Sequence, residues 1–149
     1  MSKINSRAKG QTGEREVADM LNGAVFRATG TYGDFKRNLQ QTQDGGFDLF
    51  SEAFPFFAIE VKRVENITPA VLDKFWEQAK RQATAFNPLT TGKALLPILL
   101  YRKNRADWRA RTYGTIAWDD TALVVDITGE ALIAWFERQI RRIHEARSK

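Results

Sequence analysis

Between residues 44 and 63 the chain reads Asp-Gly-Gly-Phe-Asp-Leu-Phe-Ser-Glu-Ala-Phe-Pro-Phe-Phe-Ala-Ile-Glu-Val-Lys-Arg, and no other stretch constrains the fold as tightly. Aromatic and β-branched residues bounded by glycine and proline favour strands joined by a turn. Side chains alternate along a strand, so Glu60 and Lys62 share one face while Ile59 and Val61 point to the other, into the core. A turn over residues 51–55 returns the strand of Asp48 beside that of Glu60. Two carboxylates and an ammonium then converge at the edge of a sheet. A divalent cation would account for such a group. The plain alternative is a cross-strand ion pair, worth roughly 0.2–1 kcal/mol.

A second carboxylate-bearing element precedes it. Residues 11–22 read as an amphipathic helix with Val17, Ala18, Met20 and Leu21 as its apolar stripe and Gly23 as its stop. At about 100° per residue, Glu14 falls within that stripe, whereas Glu16 and Asp19 fall outside it. A carboxylate on the core-facing side is costly unless it is paired or bound to metal. Glu14 therefore either meets a buried Arg or Lys or joins the Asp48–Glu60 group.

The remaining sequence supplies the frame. Residues 1–10 are polar, basic and expected to be mobile. Residues 24–27 read as a short strand, residues 29–33 as a glycine-punctuated loop, and residues 34–46 as an irregular excursion ending in the Asp44-Gly45-Gly46 turn. Within that excursion Lys36 and Arg37 are candidates for a sugar-phosphate backbone. Thr68-Pro69 is a strong helix start and Asn87-Pro88 its end, with Val71, Leu72, Phe75, Trp76, Ala79, Ala83 and Phe86 at helical spacing. Residues 94–101 form an apolar strand with a break at Pro97. A basic stretch follows, containing Arg102, Lys103, Arg105, Arg109 and Arg111. Residues 112–118 and 122–126 read as a strand pair around Asp119-Asp120. Thr128 then caps a final helix with the stripe Leu132, Trp135, Phe136, Ile140 and Ile143 and a basic end.

This order predicts one α/β domain over residues 1–149, an α+β sandwich with a mixed central β-sheet flanked by helices. Its 149 residues are 43% apolar and 11% aromatic, enough for a real core. The absence of cysteine excludes disulfides, thiolate catalysis and Cys-based zinc sites, and the lone His144 excludes a histidine cluster. No apolar run is long enough to span a bilayer and no signal peptide opens the chain, so a cytoplasmic protein is expected. A net charge of +5 makes polyanions reasonable partners.

Together these features point to metal-assisted phosphodiester hydrolysis. Mg2+ is the expected ion for carboxylates, waters and phosphate oxygens. Asp48 and Glu60, with the Val61 carbonyl, would hold it. Lys62 would orient or deprotonate the attacking water, or neutralise charge. A non-catalytic DNA-binding module explains the basic stretches but not inward carboxylates, and a structural protein explains neither together.

The ordered residues Lys9-Gly10, Glu14-Arg15, Gly46-Phe47-Asp48-Leu49, Glu60-Val61-Lys62 and Gln78 resemble the PD-(D/E)xK nuclease superfamily, in particular the archaeal-type Holliday junction resolvases and their bacteriophage relatives. Arg37-Asn38-Leu39, Asp44-Gly45-Gly46, Pro97, Tyr101-Arg102 and Trp108 extend that resemblance over roughly residues 9–108. It implies a restriction-endonuclease-like core and a catalytic set of Glu14, Asp48, Glu60, Lys62 and Gln78, with Glu14 reaching the metal through a water. It implies Mg2+, replaceable by Mn2+, and a homodimer acting on branched or duplex DNA through Lys36, Arg37, Arg102, Lys103, Arg105 and Arg109, inside a bacterial host cell if phage-encoded. The longer segment between Arg27 and Asp48, and Thr29 or Thr31 where some relatives carry serine, depart from the compact resolvases. A general nicking or repair nuclease is the alternative. Residues 112–149 fall outside the recognisable core.

Overall fold

The structure, a computed structural model, describes residues 6–38, 47–85, 95–116 and 119–149. Helix α1 (Ser6–Thr29) leads into strands β1 (Lys36–Arg37), β2 (Leu49–Phe50) and β3 (Phe57–Val64). Helix α2 (Pro69–Ala85), strands β4 (Leu96–Lys103), β5 (Arg109–Ile116) and β6 (Asp119–Thr128), and helix α3 (Gly129–Arg147) follow. The six strands form one sheet in sequence order, β1-β2-β3-β4-β5-β6. Among the described residues only β3 and β4 pair in parallel, with α2 lying between them in sequence, and every other neighbour pair is antiparallel. The expected mixed sheet with helices on both faces is therefore present.

Strand alternation sorts the two layers. Ile59, Val61, Ile98, Leu100 and Ala110 pack with Val17, Leu21, Ala24 and Val25 of α1 and Leu132, Phe136 and Ile140 of α3. Leu99 and Tyr101 pack on the opposite face against Trp76 and Ala79 of α2, and Ala58 packs there with Phe47 and Ala83. The turn after β2 is pinned by Asp34. Its carboxylate accepts the Ser51 hydroxyl and the N–H groups of Glu52 and Ala53, at 3.0 and 3.2 Å for the latter two. Burial works against the Asp34 charge, but these donors outweigh it and hold the carboxyl below its usual range.

Several boundaries differ from the expected ones. The first helix does not stop at Gly23, and residues 24–27 are helix, not strand. Ala24 and Val25 continue the buried stripe of Val17 and Leu21 at helical spacing, so packing carries the helix past the glycine. Gly30, with φ of +82°, follows the last turn and supplies the left-handed residue that ends it. Residues 6–10, expected to be mobile, belong to α1. Two residues of the supposedly irregular excursion form β1, while residues 39–46, including the Asp44-Gly45-Gly46 turn, lie outside the described residues. Thr68 does accept the Val71 N–H at 3.2 Å, whereas the Asn87-Pro88 end lies outside the described residues.

Pro97 does not break β4. It sits inside the strand opposite Ala58, and its carbonyl accepts the Thr112 hydroxyl at 2.8 Å. The basic stretch is divided between the end of β4, a turn and the start of β5. Asp119 and Asp120 lie in β6 rather than in a turn. Thr128 occupies the N-cap position of α3, yet its side chain makes no capping bond. The C-terminal strands continue the same sheet, and the Arg27–Glu137 ion pair adds a polar tie to the α1–α3 packing.

Candidate active site

The local geometry starts where β2 leaves β3. Leu49 and Ile59 are register partners, and Asp48 N–H donates to the Ile59 carbonyl at 2.8 Å. Beyond that point the Asp48 carboxylate takes the acceptor's place, receiving the Val61 N–H at 2.7 Å. A side chain thus ends the ladder, and the peptide of Val61 is tied directly to Asp48. Two residues on from Ile59's neighbour Ala58, Glu60 projects to the α2 side, as alternation requires. Lys62 follows on the same face.

Glu60 is the most unusual group in the cluster. It is 2% exposed, Gln78 Nε2 donates to its Oε1 at 3.2 Å, and Lys62 Nζ lies 3.3 Å from the same oxygen. Among the described residues its Oε2 is buried without a hydrogen-bond partner. Burial, with the Asp48 charge adding to it, pushes the Glu60 carboxyl up to about 8 despite the opposing pull of Lys62. Lys62 itself lies over the Phe75 ring, 5.2 Å from its centroid. A buried acid with one bare oxygen beside a second carboxylate suits a hard cation as the missing partner.

Glu14 arrives from the α1 layer. Its side chain is 15% exposed and its Oε2 accepts from Arg37 Nε at 2.6 Å. Burial raises its pKa, Arg37 lowers it, and the Asp48 charge raises it again. Glu14, Asp48 and Glu60 therefore feel one another electrostatically, because the Glu14 charge also acts on Glu60. Glu14 is thus paired with a half-exposed Arg37 and also lies within electrostatic reach of Asp48. Among the described residues no three acidic or histidine side chains approach closely enough to cage an ion by themselves. A cation held by Asp48 and Glu60 would therefore need a backbone oxygen or waters as further ligands. The chemistry of these donors, all oxygen, fits a hard divalent cation rather than a soft metal.

The basic residues divide into two groups. Arg37 and Arg102 are engaged with carboxylates, Arg37 with Glu14 and Arg102 with Glu16 at 2.8 Å. Lys103, Arg105 and Arg109 are exposed, and Lys36 is exposed with only a loose 3.8 Å pair to Glu52. Helical periodicity set Glu16 aside as a surface residue, yet its carboxylate accepts from Arg63, Arg102 and the Trp108 indole. The missed signal was the strand order, which puts Arg63 and Arg102 side by side as register partners needing an anion.

A family model described as "Phage putative PDDEXK endonuclease" matches residues 5–121, which contain Glu14, Asp48, Glu60-Val61-Lys62 and Gln78. The chain belongs to that family. No curated protein matches it. Membership of the PDDEXK family agrees with the strand–strand–helix setting of the acidic cluster, and PDDEXK nucleases generally use divalent metals. The matched segment runs through β5 and into β6, beyond the part that the sequence resemblance had placed. Among the described residues no helix is long and apolar enough to cross a membrane.

Proposed function

We propose that the chain is a Mg2+-dependent DNA endonuclease, selective for branched DNA, whose active site is Asp48, Glu60 and Lys62 supported by Glu14 and Gln78. The observation that carries this reading is the Glu60 carboxylate, buried beside Asp48 with an oxygen lacking any partner among the described residues. Family membership supplies the reaction class. Asp48, Glu60 and the Val61 carbonyl would hold the ion, with Glu14 behind a water. A bound divalent cation supplies Lewis-acid neutralisation of charge on the scissile phosphate and favours ionisation of a nearby water.

The protein's own groups do the rest. Gln78 donates to Glu60 Oε1 and fixes that carboxylate's plane, leaving Oε2 directed elsewhere. The Val61 N–H does the same for Asp48. Lys62, confined between Glu60 and the Phe75 face, brings a positive charge to the site's α2 side, where it orients the attacking water and offsets phosphate charge. Lys36, Lys103, Arg105 and Arg109 are exposed enough to meet the DNA backbone. A homodimer would present two such sites to the two strands of a junction, inside the cytoplasm of a phage-infected host.

The test is cleavage of a four-way junction, a flap, a nicked duplex and a linear duplex in Mg2+ by the native chain, Asp48→Ala and Glu60→Ala. Both variants are expected to lose nicking while binding DNA normally in Ca2+, and the native chain to introduce paired symmetric nicks in the junction. Native-level cleavage by either variant removes the site. Equal cleavage of all four substrates by the native chain leaves a general nicking nuclease.

A further inference from the structure

We propose that Arg37 is a positioning residue for Glu14 and not a contact to DNA: from β1 it fixes the carboxylate of α1 against the Asp48 strand. The inference rests on the active-site reading above. Arg37 Nε donates to Glu14 Oε2 at 2.6 Å, joining a strand to a helix across 23 residues of sequence. The Glu14 side chain is 15% exposed and that of Arg37 38%. The Nε–H of the guanidinium is committed to that carboxylate, and drawing it away toward a phosphate would leave the 15% exposed Glu14 side chain without its cation, which is unfavourable.

The neighbouring residue shows how the strand is used. Asn38 N–H donates to the Asp48 carbonyl at 2.8 Å, and its Nδ2 donates to the Phe47 carbonyl at 3.2 Å. The dipeptide 37–38 therefore holds Glu14 by a side chain and the Asp48 segment by its backbone. Arg37 itself is anchored opposite Leu49. A strand of two residues contributes little packing of its own, and this double grip gives it a purpose. Lys36, with its side chain 62% exposed, is the residue of β1 that faces solvent.

Charge balance argues the same way. The Asp48 charge acts on both Glu14 and Glu60, and each of those two carboxyl groups has a cation against it. Lys62 serves Glu60 and Arg37 serves Glu14. An Nε–H bond also fixes direction, which a lysine ammonium on its flexible stem would not.

The experiment is a double-mutant cycle on the full chain with Arg37→Gln, Glu14→Gln and both together. Three quantities are read: thermal stability without metal, DNA affinity in Ca2+ at several salt concentrations, and Mg2+-dependent cleavage. Arg37→Gln is expected to slow cleavage by roughly 10–100-fold, as loss of a group that orients a metal-site ligand does. DNA affinity should stay within about twofold, with an unchanged salt slope. In the Glu14→Gln background the same substitution should add little to either the rate loss or the loss of thermal stability, because the pair acts as a unit. Arg37→Lys should recover the rate only in part, and it carries the cycle if Arg37→Gln does not fold. The proposal is overturned if Arg37→Gln weakens DNA binding and makes the salt slope shallower by about one ion, or if it costs as much rate beside Glu14→Gln as alone. Native cleavage by Glu14→Gln removes Glu14 from the active-site reading itself. Slow cleavage by Glu14→Gln with native cleavage by Arg37→Gln overturns this inference alone.

Discussion

At Glu60 the site's chemistry and the fold's stability pull in opposite directions. The carboxyl is held at about 8 in the folded protein against an ordinary 4.5, mainly by burial. Between those values the folded state keeps a proton that the unfolded state has released, so stability falls as pH rises from about 4.5 to about 8 and levels off above. Thermal unfolding of the metal-free protein should show that decline, and Glu60→Gln should flatten it and be the more stable protein at pH 8, by on the order of a few kcal/mol. Mg2+ should then raise the native midpoint at pH 8 and leave that of Glu60→Gln little changed. Parallel pH curves for the two proteins would show that Glu60 is not the titrating group. The position of Glu60 and Lys62 on one face was legible from strand alternation alone, and Glu14 from its place in a helical stripe. Arg37 was not. Its partner lies 23 residues away on another element, and neither spacing nor hydropathy signals a contact made only after α1 and β1 have packed.

At the scale of elements, the connection from α1 to β1 decides where Arg37 stands. Asn22, buried near the end of α1, uses both ends of its amide on the Phe35 backbone: Oδ1 accepts the N–H at 2.7 Å and Nδ2 donates to the carbonyl at 3.0 Å. Gly33 lies flat against the same residue. A Cβ there would stand 2.6 Å from Asn22 Oδ1 and 2.9 Å from its Cα, and the latter is backbone that cannot swing aside. Gly33→Ala is therefore expected to destabilise the protein by about 1–3 kcal/mol, the usual cost of forcing atoms into a filled space. Chemical denaturation checks this, and an unchanged midpoint would show that the loop moves freely. The glycine-rich loop itself was legible in the sequence. Residues 24–27 were not, because a four-residue apolar run fits a strand or a turn of helix equally well, and only the continued stripe through Ala24 and Val25 separates them. A strand of two residues such as β1 carries no period at all.

For the whole molecule, α3 closes the core from the far end of the chain. The Phe136 ring meets Phe35 and Phe57 at centroid distances of 5.8 and 5.5 Å, joining the residue just before β1 to the first residue of β3. Leu132 and Ile140 complete a buried stripe against the α1 layer, and that stripe was plain in the sequence. What it covers was not, since Phe35 and Phe57, the ring partners of Phe136, lie far earlier in the chain. The family match ends at residue 121, yet the helix beyond it roofs the same sheet face that α1 occupies. This helix thus packs against Phe57 at the start of β3 and against Phe35, which leads into β1, the two strands that carry Glu60 and Arg37. Phe136→Ala should cost about 3–5 kcal/mol, the range for emptying a buried aromatic position. Phe136 packs on the α1 face of the sheet, opposite the face of Glu60 and Lys62, so at a temperature where the variant remains folded its cleavage rate per folded molecule should stay close to native. Calorimetric unfolding and single-turnover cleavage at low temperature separate the two effects. A large loss of rate in folded protein would mean that α3 tunes the geometry of the site and does not merely support it.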